Sequence, residues 1–420
     1  MATVDKITYS LWLEKEWDKL IIEGKKSLDH GIDFYYLRVR MGIAYFEKQN
    51  YHQSIRHFEK AYAVNSVETF LKEYLYYSYL YSGRQTEAEI LAATFSWQLK
   101  EKIGIKENNL IDQLDFTYNS GFIANPSVTN KYSINIDSQK NGAQYISKGH
   151  HYFNLSLKHS LNPKISIFHA YSYIAKTSFV YSQQGGIFSS NPDYKTSLHQ
   201  YYLSGNARLA KGLNMLLGLH YINIRYPVEV TDFRQGQNRI TTQTFSENDI
   251  VSFVSIYRNF SYFTLGASFY YAGLNNARQI QGDFLLTLYP LGNLNLYTVS
   301  TVSYQSETNS GDRSQNRLIF DQLMGFKLTS RIWIEGYGSL GDMHNFLRND
   351  GFVVYNGTDI IKRRYGGRLI LPLKPAFKIR FDYSMLAYES SFIPALPDHN
   401  IYNTIQYTNH SITGGIIWNY

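Results

Sequence analysis

The chain has 420 residues, a mean hydropathy of −0.33 and no run of the roughly 18 apolar residues that a membrane-spanning helix needs, which excludes a helical membrane protein. Its net charge of +7 is dispersed without a basic run, so nucleic acid is not expected as a partner. The absence of cysteine removes disulfides, thiol nucleophiles, Cys-bound zinc and a lipid-bearing N-terminal cysteine together. Against this background, 38 Tyr and 25 Phe scattered among polar residues suit strands that meet lipid on one face and water on the other.

The first residues, Met1 to Lys6, lack the charged-then-apolar pattern of a leader. An outer-membrane destination therefore requires an N-terminus already processed or engineered. From about Tyr9 to Lys106 the apolar spacing is helical, and after Leu110 it alternates. The expected division is a helical domain over 1–106 and a strand domain over 107–420.

In the helical part, Gly42, Tyr45, Phe58 and Ala61 place small residues where two antiparallel helices approach and aromatics where the space between them must be filled. A shift of about 34 residues carries Tyr45 to Tyr79 and Ser54 to Ala88, and a weaker unit surrounds Trp17, Leu20, Ile21 and Gly24. This pattern resembles tetratricopeptide repeats, with Arg38 and Ser66 departing from the family's aromatic and proline. The resemblance implies a stack of helix pairs with a concave surface for protein partners or cargo.

The second part predicts strands about ten residues long. Phe153, Leu155 and Leu157 alternate with polar residues, and Ile165 and Ile167 do so again after Asn162-Pro163. Further tight turns are expected at Lys211-Gly212, Asn259-Phe260, Gly292-Asn293, Thr329-Ser330 and Lys374-Pro375. Between them lie long polar segments at 124–144, 183–194, 228–247, 307–315, 345–358 and 389–402, read as loops. The expected fold is α plus membrane β: tetratricopeptide-like helices, then an antiparallel transmembrane barrel of about fourteen strands. Short turns would be periplasmic, and the loops near Gly186, Gln235, Asn309 and Asp350 would face the cell exterior.

Thr413, Gly415, Trp418 and Tyr420 resemble the C-terminal signal read by the outer-membrane barrel assembly machinery, a partner this resemblance implies during biogenesis. Ile416, Trp418 and Tyr420 would face the lipid of the outer membrane on the strand that closes the barrel.

The alternate face near the C-terminus is basic. Arg364, Arg368, Lys378 and Arg380 would converge on one wall of the lumen, either to draw an anionic cargo or to pair with Asp321, Glu335 and Asp382. Adjacent His150 and His151 point to opposite faces of a strand and cannot share an ion. No metal site is expected there or at Asp342-Met343-His344, and no cofactor elsewhere. No nucleophile elbow or phosphate loop is present, so no catalytic residue is named and an enzyme is not expected.

The combination of periplasmic repeats and a barrel resembles surface lipoprotein assembly modulators, poly-N-acetylglucosamine export porins and YaiO-type proteins. It implies export or secretion, with the repeats recruiting cargo or partner proteins. The alternative is a non-transporting barrel that anchors the repeats as a subunit of a larger envelope assembly.

Overall fold

The computed structural model describes residues 1–105, 111–130, 141–184, 186–234, 237–309, 314–374, 376–394 and 402–419. Among them, seven helices precede fourteen strands of one closed antiparallel barrel and a separate two-stranded hairpin.

The helices are α1 (Ala2–Leu13), α2 (Trp17–Asp29), α3 (Tyr35–Glu47), α4 (Tyr51–Val64), α5 (Thr69–Tyr81), α6 (Gln85–Ala92) and α7 (Trp97–Ile103). Helices α2, α4 and α6 begin 34 residues apart, as do α3 and α5. Helix α3 packs on α1 and α5 as well as on its chain neighbours, so the helices form a stack. The small residues set its spacing: a Cβ on Gly42 would lie 2.4 Å from the Phe58 ring, and only glycine allows that approach. Phe58, Ala61 and Ala88 are fully buried, Tyr45 stacks on His57, and the Tyr79 hydroxyl donates to Glu59 at 2.8 Å. Arg38 is buried and donates to Asp33 at 2.7 and 2.5 Å, a charged contact at the position where the repeat pattern has an aromatic.

The barrel strands are β1 (Gln113–Ile123), β2 (Gly142–Asn162), β3 (Ile165–Gln184), β4 (Ile187–Ala210), β5 (Leu213–Arg234), β6 (Gln237–Asn259), β7 (Phe263–Leu274), β8 (Ala277–Leu288), β9 (Leu296–Thr308), β10 (Ser314–Thr329) and β11 (Ile332–Met343). After the hairpin β12 (Phe346–Arg348) and β13 (Val353–Tyr355), the barrel resumes with β14 (Ile360–Lys374), β15 (Phe377–Pro394) and β16 (Tyr402–Asn419). Strands β1 and β16 pair from Gln113–Asn419 to Ile123–Asn409 and close the ring. The strands expose apolar residues on one face, as in Leu217, Leu219 and Tyr221 of β5, Phe381 and Tyr383 of β15, or Ile416 and Trp418 of β16. Tyrosines near its upper edge share hydrogen bonds with histidines of the next strand: Tyr118 with His151 and Tyr171 with His199 at 2.8 Å, Tyr383 with His410 at 2.7 Å. An apolar band edged by tyrosine is what a lipid-facing surface requires.

The tight turns at Asn162-Pro163, Lys211-Gly212, Asn259-Phe260 and Thr329-Ser330 fall where the sequence places them, at one end; Gly292-Asn293 instead lies in a seven-residue link between β8 and β9, and Pro375 lies outside the described residues. Two polar segments expected as loops, 183–194 and 228–247, are instead mostly strand, because β3–β4 and β5–β6 continue as tall hairpins. Alternation fades there because neither face needs to be apolar above the lipid. Gly186 lies in the turn of one of these hairpins, and Gln235 lies outside the described residues. By contrast β7 and β8 turn at once through Asn275 and Asn276, with φ of 50° and 59°. Strand β6 therefore runs past its neighbour: it meets β7 only from Ile250 onward, while its outer half pairs with β5 alone.

The helical stack docks on the short-turn end. The His52 amide donates to the Gly292 carbonyl at 3.0 Å, Asn293 donates to the Gln49 carbonyl at 2.8 Å, and Lys211 pairs with Glu59 at 2.8 Å. The buried His52 ring lies on Tyr289 with centroids 4.8 Å apart.

Burial, reinforced by the positive charge of Arg84, holds His52 down at about 4, and burial with Arg38 holds His57 at about 3, against the usual 6.5. Both are neutral when folded, so their contribution is complete above pH 6.5 and declines as the pH falls from 6.5 towards those values. Each costs about 1.4 kcal/mol per pH unit in that window. Thermal unfolding of the helical circular-dichroism signal should therefore shift down between pH 7 and pH 5, and His57→Gln should flatten the shift; a pH-independent midpoint would contradict it.

Candidate functional site

The segment 345–358 was expected to be an outer loop, yet it folds back into the lumen as the hairpin β12–β13. This corrects the placement of Asp350 at the cell exterior. Its tip, Asn349-Asp350-Gly351, has φ of 52°, 54° and 72°, a tight reversal that suits these residue types. Inward-facing polar groups of the barrel hold it. The Asp350 carboxylate accepts from Ser255 at 2.6 Å and Tyr257 at 2.5 Å, and its carbonyl accepts from Tyr202 at 3.0 Å. The His220 ring is hydrogen-bonded to the Gly351 carbonyl at 2.8 Å. Gln281 exchanges two hydrogen bonds with the Leu347 backbone, at 2.7 and 3.1 Å. Arg348 pairs with Asp321 at 3.2 Å. The apolar side of the hairpin seats Phe352 against Phe168 and Tyr202, with centroids 5.9 and 5.1 Å apart.

The hairpin leans on the β4–β9 side and leaves a cavity of about 890 Å3 towards β1–β3 and β14–β16. Arg364, Arg368 and Arg380 line it, and Lys378 lies outside its lining. Register decides what the arginines do. Arg368 sits opposite Glu335 on β11 and Asp382 on β15 and bonds both, at 2.8 and 3.1 Å. Arg380 donates to Thr117 at 2.7 Å and lies 3.7 Å from Asp115. Arg364 differs: its guanidinium stacks on the Tyr337 ring at 4.0 Å, and one buried guanidinium nitrogen has no hydrogen-bond partner. Asp321 is taken by Arg348 and not by this wall.

At the C-terminus, Thr413 lines the cavity, and Gly415 leaves room where a Cβ would come 3.2 Å from Arg380 and Thr117. Ile416 and Trp418 are exposed on the outer face, Trp418 edge-on to Phe377 at 5.7 Å; Tyr420 lies outside the described residues. His150 and His151 diverge, the first bonded to Asn119 inside at 2.7 Å and the second to Tyr118 outside. Among the described residues, no three His, Asp or Glu side chains gather as metal ligands would.

The hairpin itself was missed, although Phe346-Leu347-Arg348-Asn349-Asp350-Gly351-Phe352-Val353-Val354-Tyr355 carries a hairpin signal: Asp-Gly between apolar runs. Five apolar residues in an expected water-exposed loop were the available clue.

No protein-family model matches the chain, and no curated protein matches it. Among solved structures it is similar to a FadL homologue of Pseudomonas aeruginosa, at 10% identity and TM-score 0.42, over 74% of this chain and 90% of that one. It is similar also to the P. putida toluene transporter TodX, at 6% and 0.46, over 74% and 91%. A bacterial polysaccharide outer membrane secretin aligns at 9% and 0.36, over 75% and 100%. Nothing about cargo follows from likenesses of this order.

The arginine wall divides into structural and uncommitted members, and stability should divide with it. Arg368→Gln strands two carboxylates in the lumen and should lower barrel stability by about 1–3 kcal/mol, read as a lower temperature of heat-modifiable migration. Arg364→Gln should change it far less; equal losses would refute the division.

Proposed function

We propose that the chain is an outer-membrane barrel that takes part in export or secretion, passing an anionic cargo through a lumen gated by the hairpin β12–β13. The observation that carries this reading is the cavity beside the hairpin, with Arg364 on its wall and one of its guanidinium nitrogens left without a hydrogen-bond partner. A barrel filled only for support would leave neither a void of that size nor such a nitrogen. The gate is held by hydrogen bonds, one ion pair and the apolar contacts of Phe346, Leu347 and Phe352, with no covalent link to the wall, so it can exchange between two positions. Closed backbone pairing and an apolar exterior support insertion in the outer membrane.

In this reading the short-turn end, with the helical stack, lies in the periplasm. The stack recruits cargo or a protein partner, supported by the 34-residue helix spacing and by Gly42, Tyr45, Phe58, Ala61, Tyr79 and Ala88 at its helix contacts. Thr413, Gly415 and Trp418 serve the barrel assembly machinery, with Tyr420 completing the signal. Replacing Trp418 by Ala should lower the membrane level of the protein, and unchanged levels would count against the signal.

One observation favours a second reading, the non-transporting anchor: the hairpin is bonded to β4, β5, β6 and β8 and fills the part of the lumen beside them. The chain has no cysteine, so Ser255→Cys with Asp350→Cys creates a single pair across the gate. Reduced, this variant should conduct in planar bilayers; oxidised, it should not. Arg364→Glu should abolish export at matched membrane levels. If the reduced pair stays silent and Arg364→Glu exports normally, the barrel is an anchor.

A further inference from the structure

The lining of the lumen cavity carries one apolar patch among polar side chains. Phe168, Ile174, Leu198 and Ile224 from β3–β5, with Phe352 and Val354 of the hairpin, belong to one apolar cluster and all face the void. Apolar side chains facing a wet lumen are unfavourable unless something covers them. Across the cavity are Arg364, Arg368 and Arg380 with Thr117, Ser384 and Thr413.

The charges on this polar side nearly cancel. Arg368 is matched by Glu335 and Asp382, and Arg380 by Asp115. Glu247, also facing the cavity, lies on the opposite wall, where the Tyr226 hydroxyl donates to it at 2.6 Å. Arg364 also lines the cavity and has no ion pair among the described residues; its guanidinium stacks on the Tyr337 ring, and one buried nitrogen has no hydrogen-bond partner.

We infer that this cavity is a binding site for an amphiphilic monoanion, a molecule with one carboxylate-like headgroup and an apolar tail or ring. The headgroup takes the Arg364 edge, on the wall away from Glu247, and the apolar part lies on the Phe168–Ile224 and Phe352–Val354 face. A small polar anion would leave that face wet, and a neutral hydrocarbon would leave Arg364 unpaired. The volume of about 890 Å3 lies within the roughly 300–1,000 Å3 of small-molecule pockets. The assignment rests on reading the lumen as a cargo path, and it names the class of cargo.

The test is calorimetric binding to the full chain in nanodiscs, corrected with empty nanodiscs, using dodecanoate, dodecan-1-ol and acetate as probes. Dodecanoate should bind about tenfold or more tighter than either of the others. Arg364→Gln should reduce its affinity to that of dodecan-1-ol, Arg364→Lys should restore part of it, and Ile174→Thr with Val354→Thr should weaken dodecanoate while leaving acetate unchanged. Equal binding of dodecan-1-ol or acetate, or an Arg364→Gln variant that binds normally, overturns the inference. Conductance of the reduced Ser255→Cys, Asp350→Cys pair is measured without any probe and judges the path separately. A conducting barrel that ignores dodecanoate sinks the cargo class alone, whereas Arg364-dependent binding in a barrel that never conducts keeps the site and removes the path.

Discussion

Everything in this molecule depends on the pairing of β1 with β16. A strand in hydrocarbon cannot leave an edge of amide and carbonyl groups unbonded, because no water is there to satisfy them. The first and last strands must therefore meet, and eleven successive residue pairs join them. That one junction fixes the even strand number, brings both ends of the barrel chain to the short-turn end and places the helical stack beneath the mouth. It also defines an inside, so that every second residue of a strand faces a lumen whose contents the chain must supply.

The chain supplies them with a piece of itself. Hairpin β12–β13 and its flanking residues fill one side of the lumen through hydrogen bonds from five strands and the β7–β8 turn, and the other side is left as a cavity with a mixed lining. Packing and vacancy are thus the same decision. Because Phe352 and Val354 belong both to the plug and to the cavity wall, any movement of the hairpin changes the shape of the site beside it. The interior then couples opening to occupancy without a separate device.

Sequence periodicity made the architecture legible wherever an environment imposed a period. The 34-residue spacing of small and aromatic residues marked the helical stack, and lipid on one face marked the strands and their tight turns. Where lipid stops, the period stops, so the outer halves of β3–β6 read as loops although they remain paired. The candidate wall was legible in composition and not in role: Glu335 and Asp382 were foreseen as partners, but that Arg368 takes both while Arg364 is left over follows from the β11–β14–β15 register. The hairpin was misplaced for a different reason. Its apolar residues point at a barrel wall that is remote in sequence, so the Asp350-Gly351 signal marks a hairpin without saying that it lies inside the lumen.

The uneven height of the strands has a consequence of its own. A ring protects its members only up to the height of its shortest neighbour, and here β7 and β8 turn back at Asn275 while β5 and β6 continue to Arg234 and Gln237. The outer stretch of β6 that lacks β7 runs over 237–249, thirteen residues or roughly 40 Å along the strand. Above Ile250 the outer half of β6 is therefore a sheet edge standing in water, with Thr242-Gln243-Thr244 along it. A sheet edge of the kind that hydrocarbon forbids is there a place where a further strand can add. The molecule is sealed as a membrane wall and open as a sheet, and the place where one becomes the other is set by two asparagines.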